Sequence, residues 1–290
     1  MIDGIYDKTS KIAFSAHKND FLEFFGEYRK IIEELGTEVH TLHGSHRRLD
    51  KLVLVDDDTL QNWEFEFKQI GEDTLTRIWG YNNLKSAEIG KIMDSFIISF
   101  ANPDWCDEEV KIGRSITFAP IIKYLQMMEL PKRLSTIEDK VKNDRIISIQ
   151  DELTLIFVAL SVSDKDKESI VKRVCSVLDQ IDYINGYHRI VIDSLISFQI
   201  ENFVKSAEEQ DNLNEVVNMQ LSVEELFIQA EREYEYDSGY DCGRSEGVSQ
   251  GKDEVILKML DDSVDDETIQ KYTGCSLDHL QELKLKHACD

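Results

Sequence analysis

Apolar residues recur every three or four positions over much of this chain, and this spacing predicts helices. The first such segment runs from 20 to 36, between Asp20 as a capping residue and Gly36 as a terminator. The same spacing predicts further helices at about 73–93, 119–130, 148–162, 164–181, 187–207 and 212–234. Because no proline follows Pro131, we expect the second half of the chain to be mostly helical.

Between residues 37 and 67 the apolar period shortens to two, which is typical of β-strands. The stretch 37–43 is weakly strand-like, 49–55 strongly so, and 63–67 alternates strictly. Turn-forming residues separate the last two, which predicts an antiparallel hairpin. An apolar run at 94–101 suits a buried strand. The expected fold is therefore mixed α/β (α+β), with the core order αβββαβ followed by a mostly helical C-terminal region.

Acidic residues outnumber basic ones by 57 to 33 in the 290 residues, a formal net charge of −24 that repels polyanions. The charge is unevenly placed. Residues 1–135 hold 17 basic and 23 acidic side chains, a net charge of −6, whereas 136–290 hold 16 and 34, a net charge of −18. A nucleic-acid partner would therefore have to approach the first half.

The five cysteines include no CxxC pair, so the sequence indicates neither a disulfide framework nor a cysteine-based zinc site. No run of about 18 apolar residues is present to span a bilayer. The first residues also lack the basic flank and apolar stretch of a signal peptide. These features predict a cytoplasmic protein that makes no membrane contact.

Four glycines in the tail, Gly239, Gly243, Gly247 and Gly251, are spaced four residues apart. On a helix they form one stripe that permits close approach of a second helix, through which the chain could form a homo-oligomer. No Gly-Lys-Ser/Thr motif follows, so a phosphate-binding loop is not indicated. We expect three regions, namely 1–135, a helical region at 136–235, and 236–290 with the glycine helix and a short helical pair.

The predicted hairpin concentrates charged side chains on one face. Counted outward from the turn near Asp58, Asp50 lies eight residues before and Glu66 eight residues after, so pairing would bring them together. Glu64, Glu66 and Lys68 share that face because strand side chains alternate. Carboxylates so arranged suit Mg²⁺ or Mn²⁺, and a lysine beside them could position a water molecule. The alternative is an ordinary solvated face of glutamates and lysine.

Basic residues near the hairpin suggest where a nucleic acid could bind. Arg47, Arg48 and Lys51 form the most cationic patch of the first half. Arg77 and Tyr81 lie one helical turn apart and should face the same way. Arg77 could contact a phosphate of the substrate, or the two could form a packing pair that holds their helix on the sheet.

Three histidines, His40, His43 and His46, recur every third residue. Side chains at this spacing on a strand or loop do not converge on one point, and no fourth ligand is evident. We therefore do not predict a zinc site there.

The residues of the hairpin and its surroundings resemble the PD-(D/E)XK nuclease superfamily. The resemblance lies in the run 47–69, in the Arg77-x3-Tyr81 pair, and in the strand Asp-Ser-Phe-Ile-Ile-Ser-Phe-Ala-Asn-Pro. The tail at 243–283, with its regularly spaced glycines, is similar to that of the Rpn family of recombination-promoting nucleases and transposase-like proteins. The resemblance implies a restriction-endonuclease-like core and a metal-dependent DNA endonuclease linked to recombination or mobile elements.

Carried onto this sequence, the resemblance makes Asp50 and Glu66 metal ligands and Lys68 the residue that orients or activates water. Two registers are open, because the Glu-x-Lys signature could be Glu66-Phe67-Lys68 or the related pair Glu64-Phe65-Glu66. The first is favoured by the hairpin counting and the lysine, and Glu64 remains an alternative ligand.

The resemblance also implies an acidic residue on the first helix, for which Glu33 or Glu34 is the candidate. Two other functions stay open. One is a cut-and-paste transposase, which requires strand transfer as well as cleavage. The other is a catalytically inactive protein that retains the nuclease fold and binds partners through its acidic helices.

Overall fold

The structure is a computed structural model that describes residues 3–40, 46–181, 186–217 and 221–228. In the tail it describes 255–260 and positions 264, 265, 269, 272, 273, 280 and 281. The chain divides into two compact units, 1–234 and 235–290.

The helices and strands of the first unit are numbered in chain order. The helices are α1 (Asp3–His17), α2 (Asn19–Phe24), α3 (Glu72–Ile89), α4 (Leu130–Lys142), α5 (Ile149–Phe157), α6 (Asp164–Leu178), α7 (Gly186–Phe203) and α8 (Ala207–Asn214). The strands are β1 (Ile31–Leu35), β2 (Glu38–His40), β3 (His46–Arg48), β4 (Lys51–Val55), β5 (Leu60–Glu66), β6 (Met93–Ser99), β7 (Val110–Ile112), β8 (Ile116–Phe118) and β9 (Ile121–Tyr124).

A mixed five-stranded sheet, in the order β1-β4-β5-β6-β9, forms the centre of this unit. Strands β1, β4 and β5 are antiparallel neighbours, whereas β6 and β9 run parallel to β5. The crossover from β5 to β6 passes through α3, as parallel pairing requires. Two short ribbons, β2-β3 and β7-β8, lie outside this sheet. The predicted mixed α/β class is confirmed.

The predicted hairpin is confirmed as β4 and β5, which pair with Lys51 opposite Trp63. Its turn is built by aspartates. Asp58 adopts a left-handed backbone with φ of 69°, a conformation that Asp tolerates better than most residues. The Asp57 side chain accepts a hydrogen bond of 3.0 Å from the Thr59 backbone N–H. The turn therefore follows from local chemistry that is legible in the sequence.

The predicted helix over 20–36 is wrong in its second half. Helix α2 ends at Phe24, and Gly26 takes a left-handed backbone with φ of 81° that breaks the helix. Residues Ile31–Leu35 then form β1, which pairs with β4 at the edge of the sheet. Their spacing also fits a helix face, but pairing with a strand distant in sequence decides their conformation.

The predicted helix over 119–130 is also wrong. Ile121–Tyr124 form β9, which pairs with β6, and Leu125–Met127 form one turn of 3₁₀ helix. Helix α4 begins only at Leu130, and Pro131 lies in its first turn. Proline is accepted there because its missing N–H would have no partner within the helix.

Most of the other predicted elements are confirmed. Helix α3 ends at Gly90, which adopts a left-handed conformation, and α5 begins at a capping box formed by Ser148 and Asp151. Strand β6 and helices α6 and α7 also lie where the pattern places them. The predicted helix at 212–234 is instead α8, a turn and a helical stretch at 223–228, with 229–234 outside the described residues.

One hydrophobic core joins the sheet to the helices of the second half. Trp63 of β5 stacks on Phe96 of β6 with ring centroids 4.4 Å apart. Phe157 of α5 packs against Phe21 of α2, at 6.0 Å between ring centroids. Regions 1–135 and 136–235 therefore share one core. On the opposite face, α3 packs over two smaller clusters of apolar side chains.

The described part of the tail has a small cluster of its own, in which Ile256, Ile269 and Leu280 are buried. The glycine stripe at Gly239, Gly243, Gly247 and Gly251 lies outside the described residues, as does most of the expected helical pair. Of the cysteines that the structure describes, Cys106 and Cys175 are free thiols.

Candidate functional site

Glu64 is the most deeply buried carboxylate of the predicted site. It lies on β5 beneath α3, with 3% of its surface exposed. The Asn62 side-chain amide donates a hydrogen bond of 3.1 Å to Glu64 Oε1 and another of 2.8 Å to Asn82 Oδ1. Glu64 is thus held in a polar pocket between the sheet and α3.

Glu66 lies two residues further along the same face and is more accessible. Arg77, from α3, forms an ion pair with Glu66, and its guanidinium also lies 3.8 Å from Glu64 Oε2. The aromatic neighbours Trp63 and Phe65 belong to the core on the other face. The predicted division of β5 into a carboxylate face and an apolar face is confirmed.

Asp50 precedes β4, and its cross-strand position differs from the predicted one. Extending the pairing of Lys51 with Trp63 by one residue places Asp50 opposite Glu64, not opposite Glu66. The centre of the hairpin is Asp57 and not Asp58. Moving the centre by one residue changes the cross-strand partner of each β4 residue by two positions on β5. The observed register thus favours Glu64 as the cross-strand partner of Asp50.

The Asp50 carboxylate is fixed by two interactions. Its Oδ2 accepts a hydrogen bond of 3.0 Å from the Phe65 backbone N–H, and its Oδ1 lies 3.0 Å from Lys11 Nζ. Lys11 also pairs with Asp7, one turn earlier on α1, at 2.9 Å. Although burial acts to lower it, the carboxylates of Asp50 and Asp7 raise the pKa of Lys11.

Lys11 and Asp7 are site residues that the sequence analysis did not find. No helix is predicted for residues 3–17, which carry them. The pair nevertheless has the i, i+4 spacing of oppositely charged residues on a helix. That spacing was the available signal. Their proximity to Asp50 depends on how α1 packs against the sheet, which the local pattern does not contain.

Burial and neighbouring carboxylates raise the pKa values of Glu64 and Glu66. Burial, followed by the charge of Asp50, raises the pKa of Glu64 from its ordinary 4.5 to about 8, although Arg77 and the Asn62 amide act against this. Burial also raises the pKa of Glu66, again against the effect of Arg77. Glu64 therefore carries a proton at neutral pH unless a cation takes its place.

Lys68 and Lys51 occupy different surroundings. Lys68 is exposed beyond the end of β5, with Nζ 5.0 Å from the centroid of the Phe67 ring. Lys51 is buried on the opposite face, where Nζ donates a hydrogen bond of 2.9 Å to Ser15 Oγ and lies 5.6 Å from the Phe14 ring centroid. The prediction that Lys51 belongs to an exposed cationic patch is wrong, because strand alternation directs it toward α1.

Of the other predicted nucleic-acid contacts, Arg48 is exposed and lies 3.7 Å from Glu38, while the side chain of Arg47 is outside the described part of the structure. Arg77 and Tyr81 do face the same way, with the guanidinium carbon 5.9 Å from the Tyr81 ring centroid. Tyr81 itself packs at the edge of a small apolar cluster, which agrees with a packing role.

Glu33 and Glu34 do not lie on the first helix, contrary to the prediction, because their segment is β1. Glu34 pairs with Lys18 at 2.9 Å. The acidic residue that the first helix directs toward Asp50 is Asp7, which shares Lys11 with it.

The donor set of Asp50, Glu64 and Glu66 suits a hard divalent cation, which prefers carboxylate oxygens. In this structure the positive charges of Arg77 and Lys11 lie against these carboxylates. Arg77 acts against the burial and the Asp50 charge that raise the pKa of Glu64, but does not cancel them. The residues therefore suit Mg²⁺ or Mn²⁺ by donor type. Their oxygens are not among the described ligand groups that lie within 4.8 Å of one another, so a cation would have to displace Arg77 and draw them together.

No family model matches this chain, and no curated protein or solved structure is significantly similar to it. Within the described residues, no helix is both long enough and apolar enough to cross a lipid bilayer. The function must therefore be inferred from the geometry of the site.

Proposed function

We propose that this protein is a metal-dependent DNA endonuclease of the PD-(D/E)XK type, which hydrolyses phosphodiester bonds. The observation that carries the proposal is that Asp50, directly before β4, lies across from Glu64 on β5, two residues before Glu66, in a mixed sheet with a crossover helix. The chain order of one helical region, three antiparallel strands, a helix and a parallel strand supports it.

In this proposal Asp50, Glu64 and Glu66 hold Mg²⁺ or Mn²⁺, which supplies polarisation of the phosphoryl oxygen and activation of the attacking water. The strand register favours Glu64-Phe65-Glu66 over Glu66-Phe67-Lys68 as the signature, since Glu64 is the residue across from Asp50. Lys68, at the exposed end of the same segment, is placed to contact the substrate backbone.

Arg77 has a second role in the proposal. When a cation binds Glu64 and Glu66, their attraction for the guanidinium of Arg77 becomes weaker. The guanidinium is then available to bind a phosphate of the substrate. An exposed fraction of 39% leaves the Arg77 side chain within reach of solvent. The cation–π contact with the Tyr81 ring keeps the Arg77 guanidinium oriented when it is not bound to a carboxylate.

In this proposal DNA would contact Arg77, Lys68 and Arg48, of which Lys68 and Arg48 are exposed. The net charge of the chain, −24, opposes this approach over longer distances. Binding should therefore depend on the bound cation as well as on these side chains.

The test is nicking of supercoiled plasmid by purified protein with Mg²⁺ or Mn²⁺. We expect Asp50→Asn and Glu64→Gln each to reduce the cleavage rate by at least about 100-fold, because each removes an oxygen ligand that positions the metal. Glu23→Gln, at an exposed position of α2, is the matched control and should cleave like the wild type. Equal cleavage by wild type, Asp50→Asn and Glu64→Gln would contradict the proposal.

A second candidate is a non-catalytic interaction protein with the same fold. The ion pair of Arg77 with Glu66 favours it, because it stabilises the acidic cluster of Asp50, Glu64 and Glu66 without any metal. Thermal unfolding separates the two functions. A metal site predicts that Mg²⁺ raises the Tm of the wild type but not of Glu64→Gln, whereas a purely structural cluster predicts no effect of Mg²⁺ on either.

A further inference from the structure

Three helices bring a second group of potential ligands together, away from the acidic cluster. His17 is the last residue of α1, Glu152 lies in the first turn of α5, and His188 lies near the start of α7. One ligand atom from each lies within 4.8 Å of the other two. Among the described residues, this is the one group of three or more histidine, cysteine or acidic side chains found at such spacing.

The contacts within this group are short. His188 Nδ1 lies 2.9 Å from Glu152 Oε2, and the imidazole rings of His17 and His188 have centroids 4.4 Å apart at an angle of 56°. Glu152 is buried and His188 is partly accessible. The group therefore lies at the junction of three helices, with its most open side at His188.

His17 is the informative member. Only 3% of its surface is exposed, and neither of its ring nitrogens has a hydrogen-bond partner. Buried polar groups in proteins are almost always hydrogen-bonded, so this side chain needs another explanation. Burial, together with the nearby His188, lowers its pKa to about 3, which keeps the imidazole neutral and leaves a lone pair available to bind a metal.

The charges around the group favour a cation. Burial raises the pKa of Glu152, and although His188 acts to lower it, the carboxylates of Asp20 and Asp151 raise it further. A cation placed beside Glu152 would therefore be stabilised by these carboxylates. His17 does not supply it, because burial keeps this imidazole neutral.

We propose that His17, Glu152 and His188 form a binding site for a divalent transition-metal ion, with two imidazole nitrogens and one carboxylate oxygen as ligands. This donor set is typical of Zn²⁺, and sites with three protein ligands leave a coordination position for water or another small ligand. Mg²⁺ prefers oxygen ligands and is not expected to bind here. The site is independent of the proposed nuclease function.

The site would also connect the two halves of the first unit. Helix α1 packs on the sheet and carries Lys11, which pairs with Asp50. Helices α5 and α7 belong to the helical region. A metal bound by His17, Glu152 and His188 would link these helices directly, so its binding should stabilise the whole unit.

The test measures Zn²⁺ binding to the full chain after removal of metals with a chelator, by titration calorimetry. We expect one Zn²⁺ to bind to the wild type, and His17→Gln, Glu152→Gln and His188→Gln each to weaken its affinity by at least about tenfold. A matched control changes His40, His43 and His46 together to glutamine and should retain the site. Circular dichroism of each metal-free variant checks that it is folded.

A second measurement needs no variant. The X-ray absorption spectrum of Zn²⁺ bound to the wild type should show imidazole nitrogen together with carboxylate oxygen. The proposal is overturned if the three cluster variants bind Zn²⁺ as the wild type does, or if binding is lost only in the control. A Zn²⁺ spectrum without imidazole, or displacement of the bound Zn²⁺ by an equal concentration of Mg²⁺, would equally contradict it.

Discussion

At the residue scale, burial decides the charge state of the two groups that matter most here. Glu64 and His17 are both almost fully enclosed, and in both the neutral form is favoured. Beyond burial, the charge of Asp50 raises the pKa of Glu64 and that of Arg77 lowers it. In the two proposed metal sites, a cation would therefore bind beside a neutral carboxyl group and a neutral imidazole.

The raised pKa of Glu64 predicts a pH-dependent cost to stability. The group has a pKa of about 8 in the folded protein and about 4.5 when unfolded, so the unfolding free energy should fall as the pH rises between these values. Glu64→Gln removes this cost. We expect the variant to gain about 1–3 kcal/mol over the wild type between pH 5 and pH 8, without metal, in urea unfolding.

The control for this prediction is Glu23→Gln on the exposed side of α2, which should show no such gain. A difference between wild type and Glu64→Gln that stays constant from pH 5 to pH 8 would show that Glu64 keeps its charge throughout.

At the element scale, helix ends and turns follow local chemistry that the sequence displays. The capping box at the start of α5 is the clearest example, because the Asp151 carboxylate accepts hydrogen bonds from both the backbone N–H and the hydroxyl of Ser148. Lys140, in the last turn of α4, also donates to Asp151 at 2.6 Å. This small network holds the α4–α5 connection and, one residue after Asp151, the position of Glu152.

Replacing the cap should therefore destabilise the fold by a modest amount. We expect Ser148→Ala to lower the unfolding free energy by about 1 kcal/mol, because the Asp151 backbone N–H loses its acceptor. Ser176→Ala, at an exposed position within α6, is the matched control and should leave stability unchanged or slightly higher. Chemical denaturation of both variants makes the comparison, and an equal effect would refute the capping role.

At the scale of the whole molecule, the helical region is part of the same core as the sheet. Helices α4 to α7 contribute Leu134, Phe157, Val171 and Ile196 to the cluster that also contains Trp63. The unit that can be expected to fold by itself is therefore 1–234 rather than 1–135.

Truncation tests this directly. A chain that ends at Tyr234 should unfold cooperatively, with helical circular dichroism in proportion to its length, because its core is complete. A chain that ends at Ser135 should not fold, since it would expose the apolar face that α5 and α7 cover. A cooperative transition in the shorter chain would contradict the shared core.

The sequence was sufficient wherever a local pattern and its end signals agreed. The hairpin, the existence of α3 and the cap at Ser148 were all legible, because each depends on residues within a few positions of one another. The predicted end of α3, at about residue 93, passed over Gly90, where the helix stops. The face of β5 that carries Glu64 and Glu66 followed from strict alternation in the same way.

Only the tertiary structure decided the rest. Residues 31–35 and 121–124 have apolar spacing that also fits helices, and they became strands because sheet edges formed by distant residues offered hydrogen bonds. The partner of Asp50 depended on the position of the turn to within one residue. Lys11 reached Asp50, and His17 reached His188, through packing of helices far apart in sequence, and such proximity leaves no mark in any local pattern.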